Sequence, residues 1–317
     1  MDFMGFFDQC RLCPRSCGVD RRNTSHTGDL GLCGETDQLR VAYVGPHFGE
    51  EPPITGKAGS GTVFFAGCSL KCSYCQNHQI SHQGLGRRIT TEGLYKELEA
   101  LIQEQGVHNI NLVTPDHFFP HVFHLVSLLR ARGYDLPVIY NLSGYQSVDL
   151  LKQAQDYVDV YLPDFKYSDR NLAAMLSSCP DYPRKALEAV SEMVHQKGFF
   201  RVRSEGLSLA EKGVLVRHLI LPGMVDNSLN VLTNLFLEFG PGLPLSLMSQ
   251  YHPVGNHPVK ELNRFVSKEE FDRVYDHAMD LGFDDLFVQY PEESERGLQA
   301  GTGFLPDFER AHPFMPE

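Results

Sequence analysis

The 317-residue sequence predicts an α/β fold, a partial (β/α)6 barrel with a cysteine-rich N-terminal extension, and three observations predict it. From Gly61 onward, short apolar stretches alternate with amphipathic stretches of helical period, the pattern of parallel β/α units. Nearly every apolar stretch ends in polar or turn-forming residues, as barrel strands do at the rim where their C-terminal ends converge. Four of the eight cysteines fall within the first 33 residues, ahead of this alternation, in a loop-rich segment.

Taken in order, residues 1–60 read as the cysteine-rich extension and approach segment, 61–290 as the barrel, and 291–317 as a C-terminal tail packed on it. Cys10, Cys13, Cys17 and Cys33 sit beside glycines that allow tight turns, and their amides can donate to sulfur. Four thiols at this spacing suit zinc, mononuclear iron or an auxiliary iron–sulfur cluster; free surface thiols are the alternative. The arginines here, Arg15 among them, read as solvated. A hairpin is expected around Leu39–Val44, and Glu50 and Glu51, before Pro52-Pro53, read as solvent-facing charges.

The barrel opens with the strand Thr62–Ala66. Thr90 or Thr91 caps a helix with Leu94, Leu98, Leu101 and Ile102 on one face. Strand Asn109–Thr114 and a helix through Val122, Leu125 and Leu129 follow, then strand Pro137–Asn141, a short helix near 147–155, strand Val158–Leu162 and a helix near 183–197. Val214–Leu221 reads as one strand stopped by Pro222-Gly223. A helix near 228–239 and strand Leu245–Met248 come next. Ser267 and Glu270 form a capping box for a helix burying Phe271, Val274, Ala278 and Leu281, and Asp284–Val288 offers a seventh strand.

Composition narrows the function classes. Asp and Glu outnumber Lys and Arg by 40 to 28, a formal charge of −12, which argues against a general nucleic-acid or anionic-membrane surface. No apolar run approaches a membrane span, and the first residues lack the basic region and cleavage site of a signal peptide. The expectation is a cytoplasmic protein whose cysteines serve metal or redox chemistry rather than disulfides.

The most informative stretch is Gly67-Cys68-Ser69-Leu70-Lys71-Cys72-Ser73-Tyr74-Cys75, directly after the first barrel strand. Structural zinc needs four closed ligands, and this loop offers three thiols. A four-iron–four-sulfur cluster normally takes four thiolates, so three leave one iron open to a ligand. An incomplete zinc knuckle or a set of buried thiols is the bland alternative. The other strand ends run Thr114-Pro115-Asp116-His117, Asn141-Leu142-Ser143-Gly144, Asp164-Phe165-Lys166, Leu221-Pro222-Gly223 and Gln250-Tyr251-His252. Asp164 and Lys166 alone would be a surface ion pair worth about 0–1 kcal/mol. His117 and His121 have helical spacing but flank Pro120 and read as structural, and Cys179 reads as an isolated loop thiol.

The three-cysteine loop resembles that of the radical S-adenosylmethionine family, including the aromatic residue before the third cysteine, here Tyr74. Over its whole length the chain resembles a branch of homologues of pyruvate formate-lyase activating enzyme. The motifs are Cys10-Arg-Leu-Cys-Pro-Arg-Ser-Cys17-Gly, His47-Phe-Gly-Glu-Glu-Pro-Pro-Ile54, Tyr161-Leu-Pro-Asp-Phe-Lys-Tyr167 and Met248-Ser-Gln-Tyr-His-Pro253. The resemblance implies a 4Fe-4S cluster on Cys68, Cys72 and Cys75, with S-adenosylmethionine contacted by Tyr74, Asn141, Ser143, Asp164, Lys166 and His252. One motif is missing. The second-strand Gly-Gly-Glu that binds the cofactor's amino group is replaced by Asn111-Leu112-Val113-Thr114-Pro115, leaving Asn111 and Thr114 as neutral acceptors. That forgoes one charge-assisted hydrogen bond, about 1.5–3 kcal/mol, unless Asp116 turns inward.

The resemblance implies reductive cleavage of S-adenosylmethionine to a 5′-deoxyadenosyl radical that abstracts hydrogen from a backbone glycine of a glycyl-radical enzyme. No catalytic residue is assigned beyond the cluster ligands, and the expected electron donor is a flavodoxin- or ferredoxin-type protein. The rival readings are modification of another peptide or a small molecule, a non-enzymatic iron–sulfur electron carrier or redox sensor, and a zinc-binding adaptor.

Overall fold

A computed structural model describes residues 4–22, 30–202, 208–291 and 305–314. β1 (Arg40–His47) pairs antiparallel with β2 (Ser60–Phe65), and the chain between them makes one helical turn, α1 (Pro52–Thr55). After the cysteine loop come α2 (His78–Ser81), the two-residue β3 (Arg87–Arg88) and α3 (Thr91–Gln105). Thr90 caps α3, its hydroxyl accepting from the Gly93 amide at 3.0 Å. The β/α alternation continues with β4 (Ile110–Val113), α4 (Phe119–Ala131), β5 (Val138–Leu142), α5 (Val148–Ala154) and β6 (Val160–Pro163). Two helices follow, α6 (Arg170–Ser177) and α7 (Tyr182–Lys197). The first escapes the sequence reading because it is short, yet Asp169 caps it through the amides of Asn171 and Leu172.

The chain then forms β7 (Arg201–Val202), β8 (Ala210–Val214), β9 (Val216–Leu219), α8 (Val225–Phe239), β10 (Leu245–Met248), α9 (Lys268–Leu281) and β11 (Leu286–Gln289). The capping box of α9 forms between Ser267 and Glu270 as the sequence indicates.

Among the described residues the strands make two sheets. One runs β3-β1-β2-β4-β5-β6-β8-β7, with β2, β4, β5, β6 and β8 parallel; the other runs β9-β10-β11, all parallel. The stretch read as a single strand, Val214–Leu221, is therefore two. Leu215 donates its amide to Tyr161 of β6, and Val216 donates to Pro244 just ahead of β10. Consecutive N–H groups point to opposite neighbours, so one chain stitches the two sheets into one curved wall. Among the described residues the wall is open, since β11 pairs only with β10 and β1 only with β2 and β3.

Side chains alternate across this wall. Val138, Tyr140, Leu142 and Tyr161 face the helices in the main core. Ile139, Val160, Leu162 and Leu215 face the lumen and form a second core with Ile54 of α1, which is fully buried. The turn between β1 and β2 thus plugs the lumen from within. Of the tail expected over 291–317, the described part packs Phe308 and Phe314 against Phe64 at centroid distances of 5.3 and 5.2 Å.

Ile54→Ala empties the plug, and a fully buried large-to-small change costs about 2–5 kcal/mol. A urea midpoint within error of the wild type would mean that the plug does not hold the lumen together.

Candidate functional site

The cysteine loop leaves β2 through Gly67, whose φ of 80° lies in the left-handed region and whose Cβ, were there one, would sit 2.5 Å from Glu35 Cγ. Backbone bonds then fix the loop. Cys68 donates to the Cys33 carbonyl at 3.2 Å, Ser73 to Leu176 at 2.8 Å, and Cys75 to Cys72 at 3.1 Å. Burial, followed by the charges of neighbouring thiols, pushes the Cys68 and Cys75 thiols up from their ordinary range. A bound cation would relieve both effects. Three thiols on one loop fall one short of a closed zinc site and leave one iron of a cubane open, so the donor set fits a cluster.

Hydroxyl groups surround the sulfurs. Ser177 donates to Cys72 Sγ at 3.1 Å and Ser81 to Cys75 Sγ at 3.4 Å. Behind Ser177 a buried chain runs through Tyr167, 2.7 Å away, whose hydroxyl donates to Tyr74 at 2.9 Å. Such bonds orient ligating sulfurs and offset their charge.

Cys68, Cys72 and Cys75 open on a cavity of about 950 Å³ that also takes in Tyr74, Thr114, Asn141, Ser143, Asp164, Lys166 and His252. The strand end Leu221-Pro222-Gly223 does not line this cavity, but the residues expected to contact the cofactor are brought together at one mouth. Asn111 is the exception. It is fully buried below the mouth, its side-chain amide donating to Glu50 at 2.8 Å.

Asp164 and Lys166 form a mostly buried ion pair. Burial disfavours the Lys166 ammonium, but Asp164, with Tyr74 and Cys72, more than offsets it and holds its pKa well above the usual lysine range. Tyr182 fastens this corner. Its fully buried hydroxyl accepts from the Lys166 amide at 2.9 Å and faces the carbonyls of Ser143 at 2.9 Å and Asp164 at 3.0 Å. Gly144 sits so close that a Cβ there would fall 2.0 Å from the Asp164 carbonyl oxygen. His218, also fully buried, donates from Nδ1 to the Phe165 carbonyl at 2.7 Å and accepts from Ser228 at Nε2 at 2.9 Å. Thr114 has a φ of 56°, a left-handed conformation that is unusual for a β-branched residue at the edge of a site. His252 lies at the rim with its ring edge-on to Phe265 at 5.1 Å.

Several expectations are overturned. Glu50 and Glu51 are not solvent-facing. Both side chains are 7–8% exposed and both pair with Arg217, Glu51 through Nε at 2.9 Å and a second bond, Glu50 through the outer nitrogen. The turn before α1 runs into the lumen and carries them there. Arg217 held the missed signal, because a charge within the apolar strand Val216–Leu219 needs a buried partner.

Asp116 does not turn into the cavity. It packs under the cysteine loop, accepting from Ser69 at 3.2 Å with its other oxygen unpartnered, and burial raises its pKa to about 6. Arg15 is not merely solvated. It ties the N-terminal segment to the carbonyls of Ser69 at 3.0 Å and Ser177 at 2.7 Å. Cys179 is a loop thiol, as the sequence indicates, and it is buried.

His117 and His121 are structural, bonding the carbonyls of Ala66 at 2.7 Å and Asp37 at 2.6 Å. In the extension, Cys10 and Cys33 are buried and Cys13 and Cys17 partly so, with Cys33 directly behind Cys68. No helix among the described residues is long and apolar enough to cross a membrane.

A family profile described as the Radical SAM superfamily matches residues 62–233. An uncharacterized protein of Methanocaldococcus jannaschii is 25% identical over 292 residues, 89% of this chain and 77% of its own. The 7-carboxy-7-deazaguanine synthase of Clostridium acetobutylicum is 27% identical over 157 residues, 43% of this chain and 68% of its own. Among solved structures, anSMEcpe with bound AdoMet gives a TM-score of 0.49 at 12% identity, covering 75% of this chain and 63% of that one. Methylornithine synthase gives 0.43 at 14% identity, with 72% and 70% covered.

Tyr182→Phe strands the Lys166 amide and should cost about 1–3 kcal/mol, read as a lower denaturation midpoint at unchanged m. An unchanged midpoint would show that the hydroxyl does not fasten the two strand ends. Burial lowers the His218 pKa to about 4, below the unfolded value of about 6.5. Between these pH values the unfolded state binds the extra proton, so the stability contributed by neutral His218 is present above pH 6.5 and is lost as pH falls through 4. His218→Gln should flatten the acid side of the stability profile by up to one proton, and profiles of equal slope would refute this.

Proposed function

This chain belongs to the radical SAM superfamily, and from that membership we propose that it cleaves S-adenosylmethionine reductively and uses the resulting radical to take a hydrogen atom from a backbone glycine of a glycyl-radical enzyme. The observation that carries the reading is three thiols on one strand-end loop, Cys72 buried and Cys68 and Cys75 partly so, opening on the same cavity as the polar ends of the neighbouring strands. When bound, the 4Fe-4S cluster supplies the electron that splits the sulfonium into methionine and a 5′-deoxyadenosyl radical.

In this proposal Cys68, Cys72 and Cys75 hold the cluster, and Ser177 and Ser81 orient the sulfurs by hydrogen bonding. Asp164 and Lys166, fixed by Tyr182, present one anion and one cation to the two charged ends of the cofactor. Thr114, Asn141, Ser143, Tyr74 and His252 shape its seat. Phe308 and Phe314, packed on Phe64, keep water from the open side of the wall. The N-terminal cysteines are proposed to bind zinc, iron or an auxiliary cluster, and a flavodoxin- or ferredoxin-type protein to deliver the electron.

A second reading, a small molecule or another peptide as hydrogen donor, is favoured by the same aromatic packing, because it narrows the side from which a protein loop would enter.

The test is anaerobic reconstitution, reduction and incubation with S-adenosylmethionine and a candidate glycyl-radical protein. The expected result is 5′-deoxyadenosine above a Cys72→Ala control together with a glycyl signal by electron resonance. Without 5′-deoxyadenosine the enzymatic reading is lost. With it, but with no glycyl signal from any such partner, the glycine target is lost and the second reading stands.

A further inference from the structure

The floor of the lumen carries more negative charge than the cation beside it can neutralise. Glu50 and Glu51 both pair with Arg217, and all three side chains are at most 8% exposed. His47 beside Glu50 adds no positive charge near neutral pH, since burial lowers its pKa. Asp164 and Lys166 neutralise each other at the rim. Among the described residues two carboxylates therefore face one guanidinium, and one negative charge is left in a buried site.

A clamp that only fastened the plug would need a single carboxylate. The second costs stability by desolvation unless something pairs with it. The uncharged neighbours lean the same way. Asn141 approaches Glu50 only weakly, at 3.5 Å, and lines the cavity, while Asn111 directs its amide to Glu50 and leaves its buried carbonyl oxygen without a partner. Glu50 and Arg217 line the cavity and Glu51 does not. Glu51 is thus placed to hold Arg217 from below, with Glu50 presented to a ligand.

We propose that Glu50, with Asn141 beside it, binds a primary ammonium group of a ligand in the lumen. In naming sources for that ammonium the inference rests on the radical SAM reading: it belongs either to the S-adenosylmethionine α-amino group or to an amine on the substrate. The first would supply from the plug the carboxylate that Asn111–Pro115 lack.

Equilibrium binding to the anaerobically reconstituted protein tests this, with S-adenosylmethionine and n-butylammonium as separate probes and butyrate as the anionic control. Glu50→Gln should weaken at least one cationic probe by roughly tenfold or more and leave butyrate unchanged. Loss confined to S-adenosylmethionine assigns the ammonium to the cofactor; loss confined to n-butylammonium assigns it to a substrate; loss of both also supports the site. If Glu50→Gln lowers the melting temperature while both probes bind as to the wild type, the triad is a clamp and the inference is overturned.

Should Glu50→Gln fail to fold, Glu51→Gln keeps the Glu50–Arg217 pair and removes the surplus charge. It should weaken ammonium binding too, and undiminished affinity there overturns the inference. Because n-butylammonium binding needs no radical chemistry, 5′-deoxyadenosine formation by the same wild-type preparation separates failure of this site from failure of the enzymatic reading.

Discussion

The wall of this barrel is continuous only because the chain from Ala210 to Leu219 serves two sheets. At Leu215 and Val216 the backbone donates first to β6 and then toward β10, and the sheet direction turns at that point. A parallel bridge between Asp164 and Arg217, with the Phe165 amide donating to the Arg217 carbonyl at 2.7 Å, locks the turn. One flat sheet of these strands would set Arg217 far from β1. The stitched wall curves enough for Arg217 to reach the plug that returns from β1. Strand pairing thus decides the electrostatics of the lumen.

That curvature explains how so much charge is tolerated inside. Buried ions are stable only when paired and hydrogen-bonded. Each group here has a partner: Lys166 has Asp164 two positions before it, and from farther along the chain Arg217 has the β1–α1 turn and Glu50 has strands β4 and β5 as well. Removing Arg217, Asp164 or Lys166 leaves a neighbour uncompensated. The ionic groups therefore specify how plug, wall and strand ends fit together, while burial of Ile54 and the lumenal aliphatics supplies the attraction.

The extension is fitted to the same end of the molecule. Arg15 reaches carbonyls on both the cysteine loop and the C-terminal end of α6, and Cys33 accepts the Cys68 amide. The segment that looked independent in the sequence is a backing for the thiol loop. A change in the N-terminal cysteines would therefore be transmitted to Cys68 through one hydrogen bond.

From the sequence alone came most of what local pattern governs, the short helix α6 excepted. The β/α alternation placed the parallel strands because apolar period and turn residues are short-range properties, and the rim rule then gathered Cys68, Cys72, Cys75, Asn141, Ser143, Asp164, Lys166 and His252 at one end. The capping box of α9 and the structural roles of His117 and His121 were readable for the same reason. Tertiary structure alone decided the burial of Glu50 and Glu51, the pairing of Arg217, the clamp made by Arg15 and the division of Val214–Leu221. Each of these depends on a partner more than 40 positions away or on which neighbour an amide meets, and a linear pattern carries no record of either.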